Sequence, residues 1–436
     1  MVIILIIYGL ILIGIGIYDY FHVNSFKDYI AAGKKRSFFP VYMSLMATMI
    51  GASVTIGMID KVQTIGIYGI WWFIVAGIGL FLQSKLLSQK VWDLDAMTLA
   101  DVAEKVIGKQ GRLLIASIIV LAWMGIIAAQ FLALTKLLAF ILQCEVSNKL
   151  LIMVAYFIIG YIIIGGQISV VRSDTINCVI IFVGFIITFF YLYFFQDNFS
   201  KIFQDIPEKS FTTLDFIYQF FIVGSTYFLG PDVLSRNLIS KNAKTAKNVA
   251  FWSSITFFLF GTIIVSIGLW GKTFLTPQAN MLIYMLEHSF PIVLSALLSF
   301  ALLATILSSV DTCLINMSSI FVHDILGSKK IIHLRISVAI FGTISLCIAI
   351  FQQDIISLLI NTYSCYSPGI VCPLFIAIVC HKKNDIHKKI WLFSIFIGSV
   401  LGFASVYLHQ PILALIGMAL SAIFGIASFY NRPKLS

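Results

Sequence analysis

The sequence predicts an all-α membrane protein with about thirteen transmembrane helices, forming one domain over residues 1–436. Three observations predict it. Of the 436 residues, 60% are hydrophobic and 11% charged, where a soluble chain carries about 25% charged residues. Apolar runs of about twenty residues, each long enough to cross a hydrocarbon core of ~30 Å, recur from end to end. The loops between them alternate between rich and poor in Lys and Arg, as the positive-inside rule requires of a polytopic chain.

The spans fall near 3–19, 39–59, 67–84, 113–143, 150–165, 175–195, 215–235, 251–271, 291–322, 334–350, 355–380, 391–407 and 411–430. Span 1 has no positive n-region and no small-residue cleavage site, so it reads as an anchor. One set of loops holds Lys34, Lys35 and Arg36, then Lys85 and Lys90, then Arg236, Lys241 and Lys244, then Lys382 and Lys383. The other set holds only Lys61, Lys149, Lys201, Lys209 and Lys272. The first set is expected to be cytoplasmic, with the N-terminus outside and the C-terminus inside a bacterial inner membrane. The net charge of +10 is then a topology signal, and a nucleic-acid partner is not expected. The seven cysteines lie in or beside spans and the seven histidines are scattered. Neither a disulfide framework nor a metal cluster is expected.

Spans 2 and 7 are interrupted. Span 2 reads SLMATMIGASVTIGMID, with Gly51 and Gly57 inside an apolar, hydroxyl-rich run; span 7 reads FIVGSTYFLGPDVLSR, broken at Gly224 and Gly230-Pro231. Interrupted helices at corresponding positions of two halves point to a midplane binding site between inverted repeats. The chain therefore divides into a peripheral helix (3–19), a first repeat (39–195), a second repeat (215–380) and two further helices (391–430). Between spans 3 and 4, Thr98 opens a short amphipathic helix expected to lie along the membrane surface.

Span 9 carries the densest polar signal. Thr305, Ser308, Ser309, Thr312 and Asn316 are three or four residues apart and share a face, with Asp311 beside them. A carboxyl group at this depth should meet a cavity or a partner. Hydroxyl, carbonyl and carboxylate oxygens suit a hard cation. Asp174, at the expected start of span 6, is a second intramembrane acid or an interfacial cap paired with Arg172. Lys136 in span 4 reads as structural, snorkelling or paired with an acid.

At these residues the chain resembles the sodium:solute symporter family, which includes sodium/glucose cotransporters and proline and pantothenate permeases. DYIAAGKKRSFFPVYMSLMAT, IIIGGQISVVRSDTIN, GPDVLSRNLISKNAKTAKN, SSVDTCLINMSSIFVHDI and LLINTYSCYSPGIVCPLFIAI carry the resemblance in order. It implies a leucine-transporter-type core of two inverted five-helix repeats. It also implies a sodium site on the backbone carbonyls of Ala47, Ile50 and Thr305 and the hydroxyls of Ser308 and Ser309. A possible second ion site falls on Asp174, Asp311 and Thr312, where Asp311 stands in place of a hydroxyl. Polar positions of glucose-type members become Met49, Val54 and Phe73, and the proline-type aspartate also becomes Met49. The candidate solute pocket is Thr48, Met49, Ser53, Trp72, Phe73, Thr226, Tyr227 and Asn361.

The resemblance implies symport of a small organic anion, amino acid or similar metabolite by alternating access, with Na+ as coupling ion and no other cofactor. The alternatives are proton coupling through Asp311 and Asp174, or a sensor module of the same fold. An enzyme is not expected, because no acid/base or nucleophile set converges.

Overall fold

The structure, a computed structural model, describes residues 8–11, 14–18, 25–195, 211–275, 280–352, 354–380 and 386–430. Most of the polar segment 196–214, with Lys201 and Lys209, lies outside the described residues, as do Lys382 and Lys383. Among the described residues every element is helical, apart from one isolated bridge between Arg36 and Ser240.

Among the described residues, nine stretches are long and apolar enough to cross a bilayer. With the shorter or broken helices at Tyr8–Tyr18, Phe38–Met49, Asn148–Ile164 and 213–239, they make the thirteen expected from the sequence. We number them in chain order: α1 (8–18), α2 (Phe38–Met49 continuing as Ile56–Ile65), α3 (Ile70–Leu82, running on to Asp93), α4 (Lys109–Leu142), α5 (Asn148–Ile164), α6 (Gly166–Phe195) and α7 (Thr213–Tyr218 through Gly224–Leu229 to Pro231–Ile239). They continue as α8 (Ala243–Phe274), α9 (Ile292–Ile320), α10 (Ile331–Phe351), α11 (Ile355–Cys380), α12 (Lys388–Tyr407) and α13 (Pro411–Tyr430).

Sequence chemistry explains the joints. Gly166, at φ 69° and ψ −176°, turns α5 into α6, and a Cβ there would meet the Tyr29 ring at 2.8 Å; only glycine adopts this backbone without strain. α3 approaches α7 closely because both present glycine at the crossing. A Cβ on Gly79 would fall 2.3 Å from the Gly224 carbonyl oxygen, the small-residue contact that packs membrane helices. The helix capped by Thr98 forms over Leu99–Ile107, with the Thr98 hydroxyl accepting from the Asp101 N–H at 3.0 Å. Six of its nine residues, Asp101 among them, are buried against the rest of the protein.

α9 is the spine of the fold. Its buried face packs on α2, α4 and α6, and every residue from Ala301 to Ile320 is buried. Its basic-loop end is tied down by Arg112 of α4, which donates to the backbone oxygens of Asp324 (3.0 Å) and His323 (2.9 Å) and pairs with Glu104. The Asp324 carboxylate, shielded from solvent, accepts from Thr98 at 2.6 Å.

Candidate functional site

The two broken helices pack on each other and on α9. In α2 the helix stops at Met49, Ile50 leaves helical geometry (φ −86°, ψ 70°), and regular helix resumes at Ile56. Backbone freed by such a break must find partners, because no water reaches it in hydrocarbon. Here Gln130 of α4 accepts from the Ala52 N–H at 3.2 Å, and the Thr55 hydroxyl donates to the Gly51 carbonyl at 2.9 Å. Ser309 of α9 donates to the Thr48 carbonyl at 2.9 Å. Gly51 permits this contact: a Cβ there would sit 2.6 Å from Ser309 Oγ. Gly57 is not part of the break but lies inside the resumed helix.

In α7 the break is at Gly230, whose φ of −82° and ψ of 149° are extended. Pro231 then opens the second half, where a missing N–H is harmless. Gly224 marks no break of its own; it follows a π-turn over Gln219–Val223 inside the helix. Tyr366 of α11 donates to the Leu229 carbonyl, and Ser367 of α11 to the Ile222 carbonyl at 2.9 Å.

Between the breaks lies a cavity with about 560 Å³ of empty space, its opening included. Its walls include Thr48, Met49, Ser53, Thr226 and Tyr227, as the sequence suggests, together with Trp123, Gln130, Asp232, Ser309 and Tyr363. Trp72 is set back and reaches Tyr227 through its indole N–H at 3.4 Å. Phe73 is wholly buried and packs on Phe257. Asn361 is not among the lining residues, whereas Leu359 and Tyr363 beside it are.

Behind this cavity is a buried polar cluster that sequence reasoning divided wrongly. Arg236, counted there as a loop charge, is fully buried on the second half of α7. Its Nη2 donates to Asp174 Oδ2 at 3.0 Å, Thr48 Oγ1 at 2.8 Å and Thr312 Oγ1 at 2.6 Å. Its Nε donates to Ser44 Oγ at 3.1 Å and Nη1 to Ser235 Oγ at 3.1 Å. Asp174 neither opens a helix nor pairs with Arg172. It sits two turns inside α6, fully buried, and also accepts from Ser44 and Ser308, each at 2.5 Å. Arg172 instead lies 4.8 Å over the Tyr18 ring. The motif GPDVLSR held a signal for this. An arginine four residues after an acid in a helix just opened by Gly-Pro is still in the span.

Of the residues expected to hold sodium, Ala47 and Ile50 on α2 and Thr305, Ser308 and Ser309 on α9 are all buried, and Ser309 joins the two helices through the Thr48 carbonyl. Those of the second expected site are arranged differently. The Arg236 guanidinium bridges Asp174 and Thr312, while Asp311 is buried beside Tyr161 with its Oδ1 unpartnered. Lys136 donates to Asn280 at 2.8 Å, a structural contact.

The profile of the sodium:solute symporter family matches residues 29–386. The chain belongs to the sodium:solute symporter family. Among curated relatives, the sodium/proline symporter of Haemophilus influenzae is 27% identical over 259 residues, which cover 55% of this chain and 51% of that protein. The chain thus spans about half the length of the curated relative it matches. Among solved structures, a Na+-coupled sialic acid symporter in a substrate-bound outward-open state superimposes with a TM-score of 0.80 at 16% identity, covering 98% of this chain and 97% of that one. A closed nucleobase-cation-symport-1 family transporter gives 0.64 at 11% identity over 92% and 94%. These likenesses show the fold: this family member has the leucine-transporter-type architecture.

Proposed function

We propose that this chain is a sodium-coupled symporter that moves a small solute across a membrane by alternating access. Membership of the sodium:solute symporter family supports the reading, and one observation carries it to particular residues. Ser308 and Ser309 each have a proton already committed, to Asp174 and to the Thr48 carbonyl, so both hydroxyls present lone pairs to the gap between α2 and α9. With the carbonyls of Ala47, Ile50 and Thr305 they form a shell of oxygens for one Na+. Arg236 occupies the space between Asp174 and Thr312 with a permanent positive charge, which supports a single sodium per cycle. The first repeat (39–195) and second repeat (215–380) rock about the cavity, with basic loops and C-terminus on the cytoplasmic side of a bacterial inner membrane.

The test is sodium-specific stabilisation of the purified protein. Sodium should raise the melting temperature above that in equal potassium, and Ser308→Ala with Ser309→Ala should abolish the difference. A sodium response unchanged in that double variant refutes the site. The unpartnered Asp311 oxygen favours one second reading, proton coupling; uptake that follows pH at fixed zero sodium would establish it in place of sodium.

A further inference from the structure

Among the described residues lining the cavity, Asp232 supplies the only charge. It stands in the first turn of the second half of α7 and is partly open to the cavity. Trp123 donates its indole N–H to Asp232 Oδ2 at 2.7 Å, Asn316 donates its amide to Oδ1 at 2.8 Å, and the Cys313 thiol lies 3.6 Å from Oδ2. Each oxygen is thereby oriented, yet among the described residues no cationic side chain forms an ion pair with it. Arg236, one turn away on the same helix, is held by Asp174.

From this geometry we infer that the solute carries a positively charged nitrogen, which docks on Asp232 within the aromatic wall of the cavity. The inference rests on the symport reading for its transport role but not for binding. Three features carry it. An anionic head group would meet a carboxylate that no described cationic side chain contacts, and Pro231 has removed one of the helix-opening amides that would otherwise attract it. A second metal ion is disfavoured, because the immediate neighbours of Asp232 are N–H and S–H donors rather than the oxygen acceptors a hard cation requires. Organic ammonium groups need no such shell. They take a carboxylate on one side and aromatic faces on the other, and Trp123, Tyr227 and Tyr363 line the same cavity, with Tyr227 and Tyr363 centroids 6.3 Å apart.

The experiment compares isosteres of different charge. Purified protein is titrated with choline, tetramethylammonium and ethanolamine, with uncharged 3,3-dimethylbutan-1-ol, and with anionic 3,3-dimethylbutanoate, reading melting temperature with and without sodium. A cation should bind about tenfold to a hundredfold more tightly than the neutral isostere, the range for a charge-assisted contact. Asp232→Asn should abolish that preference while eluting as monodisperse, helical protein, and Asp232→Glu should keep part of it. Three results overturn the inference: binding of the anion in preference, an undiminished cation preference in Asp232→Asn, or no stabilisation by any cation. If Asp232→Asn fails to fold, Trp123→Phe, which removes the indole donor and leaves the charge, must keep the cation preference or the inference fails. Cation binding that sodium leaves unaltered would sink the coupling assignment while leaving this one standing.

Discussion

Replacing Arg236 by Met should cost about 3–5 kcal/mol, the range for removing one partner of a buried ion pair. The figure follows from what is left behind. Arg236 and Asp174 are both wholly shielded from solvent. Without the guanidinium, Asp174 keeps only hydroxyl donors, Ser44 and Ser308, and Thr48 and Thr312 lose a shared charged donor. For a chain of this size the loss should appear as a fall of roughly 3–5 °C in the melting temperature measured in detergent. The informative comparison is the double variant Arg236→Met with Asp174→Asn, which removes the uncompensated charge. It should be more stable than Arg236→Met alone by roughly 2 kcal/mol, because contacting residues couple by up to about 3 kcal/mol. Arg236→Lys should not rescue, since a single ammonium cannot reproduce a planar fork serving five oxygens. Two outcomes refute this reasoning: a single variant within about 2 °C of the parent, or a double variant that loses the full sum of both singles.

The remaining predictions concern packing and the basic-loop face. Gly79→Leu should abolish folded protein in size-exclusion chromatography, because even its Cβ would lie 2.3 Å from the Gly224 carbonyl; ordinary yield would mean α3 and α7 cross elsewhere. Arg112→Met should lower stability by about 1–3 kcal/mol, since the buried Asp324 then keeps only Thr98 and His323 as partners. The hydrogen bond from Lys34 holds the Asp95 carboxyl below the usual carboxylate range. Stability from this pair is therefore present above the unfolded value near 3.9 and is lost as pH falls through the lower folded value. Because Asp95 is largely exposed, Asp95→Asn should cost under about 1 kcal/mol by thermal melting at pH 7.

Span number, order and the two breaks were legible because they rest on patterns a single sequence carries: apolar length, loop charge, and Gly or Gly-Pro inside hydrocarbon. Ser308 and Ser309 were legible because helical spacing puts the hydroxyls of α9 on one face. Arg236 was not, because a positive charge at the end of an apolar run looks the same whether it snorkels to the interface or turns inward to an acid 62 residues away. Asp174 failed for the mirror reason: a polar stretch before it, GGQISVVRS, resembles a loop, yet Gly166 allows the next helix to start there. Asp232 and Trp123, 109 residues apart, share a hydrogen bond that no spacing rule encodes. Phe73, placed in the pocket by alignment, faces α8 instead, where a Cβ on Gly261 would strike its ring.

Thr48 is where ion and solute would communicate. Its carbonyl accepts from Ser309 and its hydroxyl accepts from Arg236, while the residue itself lines the cavity. Arg236 and Asp232 stand four residues apart on one nine-residue helix, so that helix cannot shift at one residue without shifting at the other. Under the proposed coupling, a sodium that drew α2 toward α9 would act on the short helix through the Thr48 hydroxyl. Thr48→Val keeps the carbonyl and the side-chain volume but deletes the acceptor for Arg236. Sodium should still stabilise this variant, because Ser308, Ser309 and the carbonyls are intact, whereas its effect on solute affinity should fall toward none from a coupling of about 1–3 kcal/mol. Thr48→Ser, which retains the hydroxyl, should keep that coupling. If Thr48→Val binds solute with an undiminished sodium dependence, communication does not pass through this contact.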